Sequence, residues 1–297
     1  SGAGMTMQYG AFDSEFLKRL ERLSLNMEKL MASGSGGLRK SKAKGSSVEF
    51  SDYREYAYGD DLRRVDWNAY GRSGRLFVKL FMEEREAMVN IFLDCSRSMD
   101  FGEPKKSLAE VQLAGAIAFL ALNNMDRLCI NLMQNGSLRS SGIFGGRGQF
   151  EGCAAFLDNI EFKGIADMEK AIKQKKFGGR GLSLIISDFF TQDKPEDFLK
   201  YLLYHKQDIV LLHILSAEEL NPKLQGQIRL KDSETDGMLD VDLTPSVIDN
   251  YERTLNSFIS ALKESSKKYG GAYVNISSAD SLEKVLFEDM IAAQIVK

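Results

Sequence analysis

The hydrophobic positions of this 297-residue chain change their period several times, and each change marks an element. Residues 12–32 carry Phe16, Leu17, Leu20, Leu23, Met27, Leu30 and Met31 at helical spacing, which predicts an amphipathic helix. Ser33 to Ser47 loses that period and is rich in Gly, Ser and Lys, the composition of a linker. The stretches Val48 to Tyr53 and Arg75 to Phe81 alternate or run apolar as strands do. Between them, Tyr58 to Tyr70 is dense in opposite charges and holds Trp67, the only tryptophan.

From residue 88 the pattern becomes strand, helix, strand. Val89–Leu93, Leu128–Met133, Leu182–Ser187, Ile209–Leu215 and Ala272–Ile276 read as strands, several of them unbroken apolar runs suited to a parallel sheet covered on both faces. Pro104 fits the first position of a helix that is apolar nearly all round to Leu122 and should be deeply buried. Further helices are predicted at 149–159, 166–176, 197–204 and 280–294, and a long one to Tyr269 capped by Thr244 with Pro245. Asn135-Gly136 marks a turn, Ser137 to Gly148 a Gly-rich loop or hairpin, and 226–243 a hairpin turning at Thr235-Asp236-Gly237.

Strands alternating with helices predict an α/β fold: a doubly wound, mainly parallel, Rossmann-like sheet flanked by helices, with a small β-rich subdomain. The expected division is 1–45 as N-terminal helix and linker, 46–85 as the β-rich charged segment, which hairpin 226–243 could join, and 86–297 as the main α/β domain.

Composition narrows the chemistry. A net charge of −3 gives no global basic bias toward nucleic acid. Cys95, Cys129 and Cys153 are too few and unevenly placed for a disulfide framework or a zinc site, and fit a reducing, cytoplasmic setting. No run of about 18 apolar residues predicts a membrane span. The opening Ser1-Gly2-Ala3-Gly4 reads as a cloning remnant. His205 and His213 are the only histidines, and His213 lies inside a strand run as a core residue would.

The stretch Asn90 to Met99 is an apolar strand running into a D-x-S-x-S loop, with Asp94, Ser96 and Ser98 at alternate positions. Carboxylate and hydroxyl oxygens suit a hard cation such as Mg²⁺. Asp188 ends a second strand. Ligands of doubly wound sheets bind beyond the carboxyl ends of the strands where strand order reverses, so Asp94 and Asp188 would share one crevice if their strands are neighbours.

These residues, with Gly59 to Trp67, Leu184 to Phe190 and Asp208 to Leu215, resemble a bacterial protein family, domain-of-unknown-function family 58, that carries a von Willebrand factor A-like domain. The resemblance spans roughly residues 46–290. It implies a metal-ion-dependent adhesion site of Asp94, Ser96, Ser98 and Asp188 holding Mg²⁺. It also implies partnership with a MoxR-type AAA+ ATPase in chaperone-like maturation or remodelling of a client protein. At the loop where the family places a ligand Thr, this chain has Gly164-Ile165-Ala166-Asp167-Met168. Ala166 cannot coordinate, and Asp167, or Glu169, is the available substitute.

The charged Asp60–Trp67 stretch reads as an internal salt-bridge network anchored by Trp67, or as a partner surface using Arg63 and Arg64. The expected function is therefore a non-enzymatic protein-binding adaptor whose adhesion site is complete or degenerate. The alternatives are a metal-dependent phosphoesterase or nuclease built on Asp94 and Asp188, and a metal-free structural scaffold. No Walker motif or zinc signature occurs.

Overall fold

Among the described residues, seven strands form one sheet, in the spatial order Ala272–Ser277, Gln207–Leu215, Gly181–Ser187, Met88–Asp94, Arg127–Gln134 and Ser137–Ser140, with Phe144–Gly145 also on Arg127–Gln134. The computed structural model describes residues 5–7, 10–32, 48–58, 60, 62, 65–83, 87–191, 193–222, 226–231 and 238–297. The chain divides into two units, Ser1–Gly36 with Ala87–Lys297, and Gly37–Glu86.

The strands of this sheet, all in the first unit, are β1 (Met88–Asp94), β2 (Arg127–Gln134), β3 (Ser137–Ser140), β4 (Phe144–Gly145), β5 (Gly181–Ser187), β6 (Gln207–Leu215) and β7 (Ala272–Ser277). Strands β7, β6, β5, β1 and β2 are parallel, whereas β3 and β4 pair antiparallel with β2. Asn135 and Gly136, both at positive φ, make the tight turn that lets β3 fold back on β2. The helices are α1 (Lys106–Asn123), α2 (Phe150–Asp158), α3 (Met168–Ile172), α4 (Pro195–Tyr204), α5 (Ala217–Leu220) and α6 (Pro245–Lys268).

Alternate strand residues enter separate cores, which is why the central strands are apolar without a break. Ile91, Leu93, Leu184, Ile186, Leu212 and Ile214 pack with Val111, Ile117 and Ala121 of α1 on one face. Phe92, Ile185, Ile209 and Leu211 meet Met168, Ile172, Phe198, Leu202 and Leu262 on the other. Each Val, Leu, Ile, Phe or Met among them contributes about 1.5–3 kcal/mol on burial.

Three predicted elements differ. The helix expected over 12–32 is two short ones, Ser14–Leu20 and Met27–Ala32. Between them Leu25 pairs with Val296, and Ser24 exchanges backbone hydrogen bonds with Lys297. That long-range pairing takes the backbone out of helix although Leu20, Leu25 and Leu30 still reach the core. The helix expected over 280–294 is interrupted by a π-turn at Val285–Asp289. Helix α1 starts at Lys106 rather than at Pro104, whose carbonyl instead accepts from Ser278 Oγ.

Within the second unit, Val48–Glu55 and Phe77–Glu83 form an antiparallel pair with an irregularity between Phe50 and Asp52. Asp66 caps helix Trp67–Ser73 by accepting from Asn68 and Ala69 N–H, and Gly74 ends it at φ 67°. Arg54 Nη2 donates to both carboxylate oxygens of Asp60, at 2.8 and 2.9 Å. Trp67, at the first helical position, is 60% exposed and edge-on to Tyr70. Arg63 and Arg64 lie outside the described residues, as does the turn 235–237 of the hairpin Gly226–Lys231 with Met238–Leu243.

Candidate functional site at the carboxyl edge

Connections leave β1 toward β2 on one side, while β5 lies on the other, so the strand order reverses between β1 and β5. These two strands are hydrogen-bonded neighbours, with Leu93 opposite Ile186. Asp94 and Asp188 thus stand at the ends of neighbouring strands, at the switch point where this sheet class binds its ligands, and both are buried.

Every oxygen of the two aspartates has a donor. Asp94 Oδ1 accepts from Ser96 N–H at 3.0 Å, and its Oδ2 from Ser187 Oγ at 2.6 Å. Asp188 Oδ1 accepts from Phe190 N–H at 3.0 Å, and its Oδ2 from Lys106 Nζ at 2.7 Å. Lys106 also donates to Glu219 Oε1 at 2.6 Å. Glu219 Oε2 closes a capping box on α5, accepting from Ser216 N–H at 2.7 Å while Ser216 Oγ accepts from Glu219 N–H. Beneath the loop, Glu110 Oε1 accepts from Asp94 N–H at 2.9 Å, and its Oε2 is buried without a hydrogen-bond partner.

Burial and the neighbouring Asp188 push the Asp94 carboxyl up to about 6. Burial, with Asp94 beside it, holds Glu110 well above the ordinary carboxylate range. For Lys106 burial acts against the charge, but Asp188 and Glu219 outweigh it and leave the ammonium above its usual value. Cys95 sits between Asp94 and Ser96 in a buried position, and burial followed by Glu110 and Asp94 raises its thiol well above normal.

The loop carrying Ala166 is docked beside the D-x-S-x-S loop. Lys163 N–H donates to Cys95 carbonyl, and Arg97 N–H to Gly164 carbonyl. Asn135 Oδ1 accepts from Ile165 N–H, and Gly164 adopts φ 80° against that same side chain. Ala166 offers no side-chain oxygen, and its carbonyl accepts from Thr191 Oγ1 at 3.3 Å. Asp167 caps α3 by accepting from Lys170 N–H, and Glu169 pairs with Lys173.

Mg²⁺ calls for near-octahedral oxygen coordination at about 2.0–2.1 Å. The Ser96 and Ser98 hydroxyl oxygens, 3.0 Å apart and hydrogen-bonded to each other, have the spacing of two adjacent ligands. Beyond that pair the donor set does not fit. The third loop supplies no side-chain oxygen, both aspartates are already engaged, and a lysine ammonium occupies Asp188. Among the described residues, no three His, Cys, Asp or Glu side chains are grouped to hold a metal.

The strongest members of this cluster that the sequence reading passed over are Lys106, Glu110, Ser187 and Glu219. Lys106 and Glu110 stand four apart at the start of an otherwise apolar helix, and Ser216-x-x-Glu219 is a capping box. Both signals were readable.

The family model described as "protein of unknown function DUF58" matches residues 52–257, more than half of the chain. The chain belongs to the DUF58 family. Relatives include the uncharacterized proteins Rv1480 of Mycobacterium tuberculosis and Mb1516 of Mycobacterium bovis. Each is 25% identical over 219 residues, spanning 70% of this chain and 68% of the relative. Among solved structures, BatB from Bacteroides thetaiotaomicron is similar at 15% identity and TM-score 0.44, over 70% of this chain and 98% of that one. The SpRpn10 VWA domain is similar at 11% identity and TM-score 0.41, over 67% and 92%. The order of its own strands carries the fold assignment for this DUF58 chain, a doubly wound, mainly parallel α/β sheet. No helix of the described residues is long and apolar enough to cross a membrane.

Proposed function

We propose that this DUF58 chain is a non-enzymatic protein-binding adaptor that engages its partner with the carboxyl edge of the sheet. The observation that carries the reading is a pair of exposed aromatic side chains over a polar cluster already satisfied from within. Phe101 and Phe190 are 47% and 37% exposed, and their ring centroids lie 5.8 and 5.4 Å from the same Lys106 nitrogen. Exposed aromatics gathered over a rigid site are the composition of an interaction hot spot rather than of a reaction centre. A phosphoesterase on Asp94 and Asp188 would need carboxylates free to hold ions and activate water. Here their oxygens bond to Ser96, Ser187, Phe190 and Lys106.

The resemblance in the sequence points to a MoxR-type AAA+ ATPase as partner, acting with this chain on a client protein. ATP hydrolysis would belong to the partner, since this sequence has no Walker A motif. The test is direct binding of the purified chain to a MoxR-type ATPase of the same organism, for wild type and for the double variant Phe101→Ala, Phe190→Ala. The expected result is binding that weakens on the order of tenfold or more in a variant with unchanged circular dichroism. Absence of binding by wild type counts against the partner, and unchanged binding by the variant counts against the surface.

A further inference from the structure

The crevice carries its own positive charge. Lys106 opens α1, is 1% exposed, and donates to Asp188 at 2.7 Å and to Glu219 at 2.6 Å. The rings of Phe101 and Phe190 lie over the same ammonium. Asp188 stands where this class of loop directs its second carboxylate toward a divalent ion, and here that carboxylate is neutralised by a tethered amine.

We infer that Lys106 is the resident cation of this site, taking the charge-balancing place of a divalent metal, so that the carboxyl edge works without one. Two features of the geometry agree. The third loop contributes Ala166 and no side-chain oxygen, and that residue's carbonyl accepts from Thr191. All six carboxylate oxygens of Asp94, Asp188 and Glu219 receive a protein donor. A buried ammonium held by two carboxylates also differs functionally from a metal. It has no exchangeable position that an acidic residue of a partner could complete. Recognition at this edge then falls to the side chains over the lysine, Phe101 and Phe190. The inference rests on the geometry of the site and not on the identity of the partner.

The test uses the full chain. Wild type is melted in EDTA, in millimolar Mg²⁺ and in millimolar Mn²⁺, alongside Lys106→Met and Lys106→Arg. The expected result is a wild-type midpoint that is the same in all three solutions, a Lys106→Met midpoint well below it, and a Lys106→Arg midpoint between the two. A Lys106→Met variant as stable as wild type would overturn the inference. If Lys106→Met does not fold, Mn²⁺ binding to wild type, read by electron paramagnetic resonance, decides alone. No bound Mn²⁺ supports the resident lysine. One Mn²⁺ per chain, lost in the double variant Ser96→Ala, Ser98→Ala, overturns it.

Discussion

Replacing His213 by Phe should leave the protein nearly as stable as before near neutrality and make it more stable than wild type in acid. His213 is fully buried in β6, ringed by Phe189, Phe258 and Tyr273. Its Nδ1 lies 2.7 Å from Tyr273 Oη, and its Nε2 has no hydrogen-bond partner. Burial pushes its pKa down from 6.5 to about 4. Between those values the unfolded chain binds a proton that the folded chain refuses. Stability contributed by neutral His213 is therefore fully present above 6.5 and is lost as pH falls toward 4. At about 1.36 kcal/mol per pKa unit, the loss reaches about 3 kcal/mol. In the Phe variant this group does not titrate. At high pH the variant gives up the bond to Tyr273 and removes an unpaired buried nitrogen, two effects of about 1 kcal/mol that oppose each other. Urea denaturation followed by far-ultraviolet circular dichroism, at a series of pH values from about 7.5 to about 4.5, measures the difference between the two proteins. Asp94 and Glu110 titrate in both and cancel in that difference. The expected difference moves by about 2–3 kcal/mol in favour of the variant as pH falls. A difference that stays constant across the range refutes a buried, neutral His213.

Three further outcomes are expected. Ser187→Ala removes a hydroxyl that donates to Asp94 and accepts from Phe189 N–H, so thermal or denaturant unfolding should show a loss of about 2–4 kcal/mol. Gly164→Ala forces a left-handed residue to carry a Cβ that would lie 2.1 Å from Asn135 Oδ1, and the melting midpoint should fall by the equivalent of about 1–3 kcal/mol. Trp67→Ala, at an exposed helical position, should change unfolding free energy by no more than about 0.5 kcal/mol.

The sheet was legible because its central strands announce themselves. Val89–Leu93 and Leu182–Ile186 are apolar without interruption, and alternating strands and helices leave few ways to connect them. That Asp94 and Asp188 end neighbouring strands was only a condition in that reading, and the sheet order meets it. The charge balance of the crevice was not legible to that reading. Lys106, Asp188 and Glu219 come from α1, the end of β5 and α5, and only the fold brings them within 2.7 Å. The N-terminal region failed for a related reason. Helical spacing from Phe16 to Met31 is real, but Leu25 is held by Val296, and a local period carries no information about a strand pairing across the chain.

Cys95 gives the central loop a chemical reporter of its own motion. Its thiol is 2% exposed and strongly disfavoured as thiolate, and Cys129 and Cys153 are buried as well. Thiolate is the species that alkylating and disulfide reagents attack, so the folded chain should be nearly inert toward them. Modification at Cys95 then requires the backbone between Asp94 and Ser96 to leave the sheet edge. Its rate, compared with that at Cys153 on the buried face of α2, separates opening of the loop from opening of the whole molecule. A native residue in the middle of the D-x-S-x-S loop thus serves as a label-free clock for when that edge is closed.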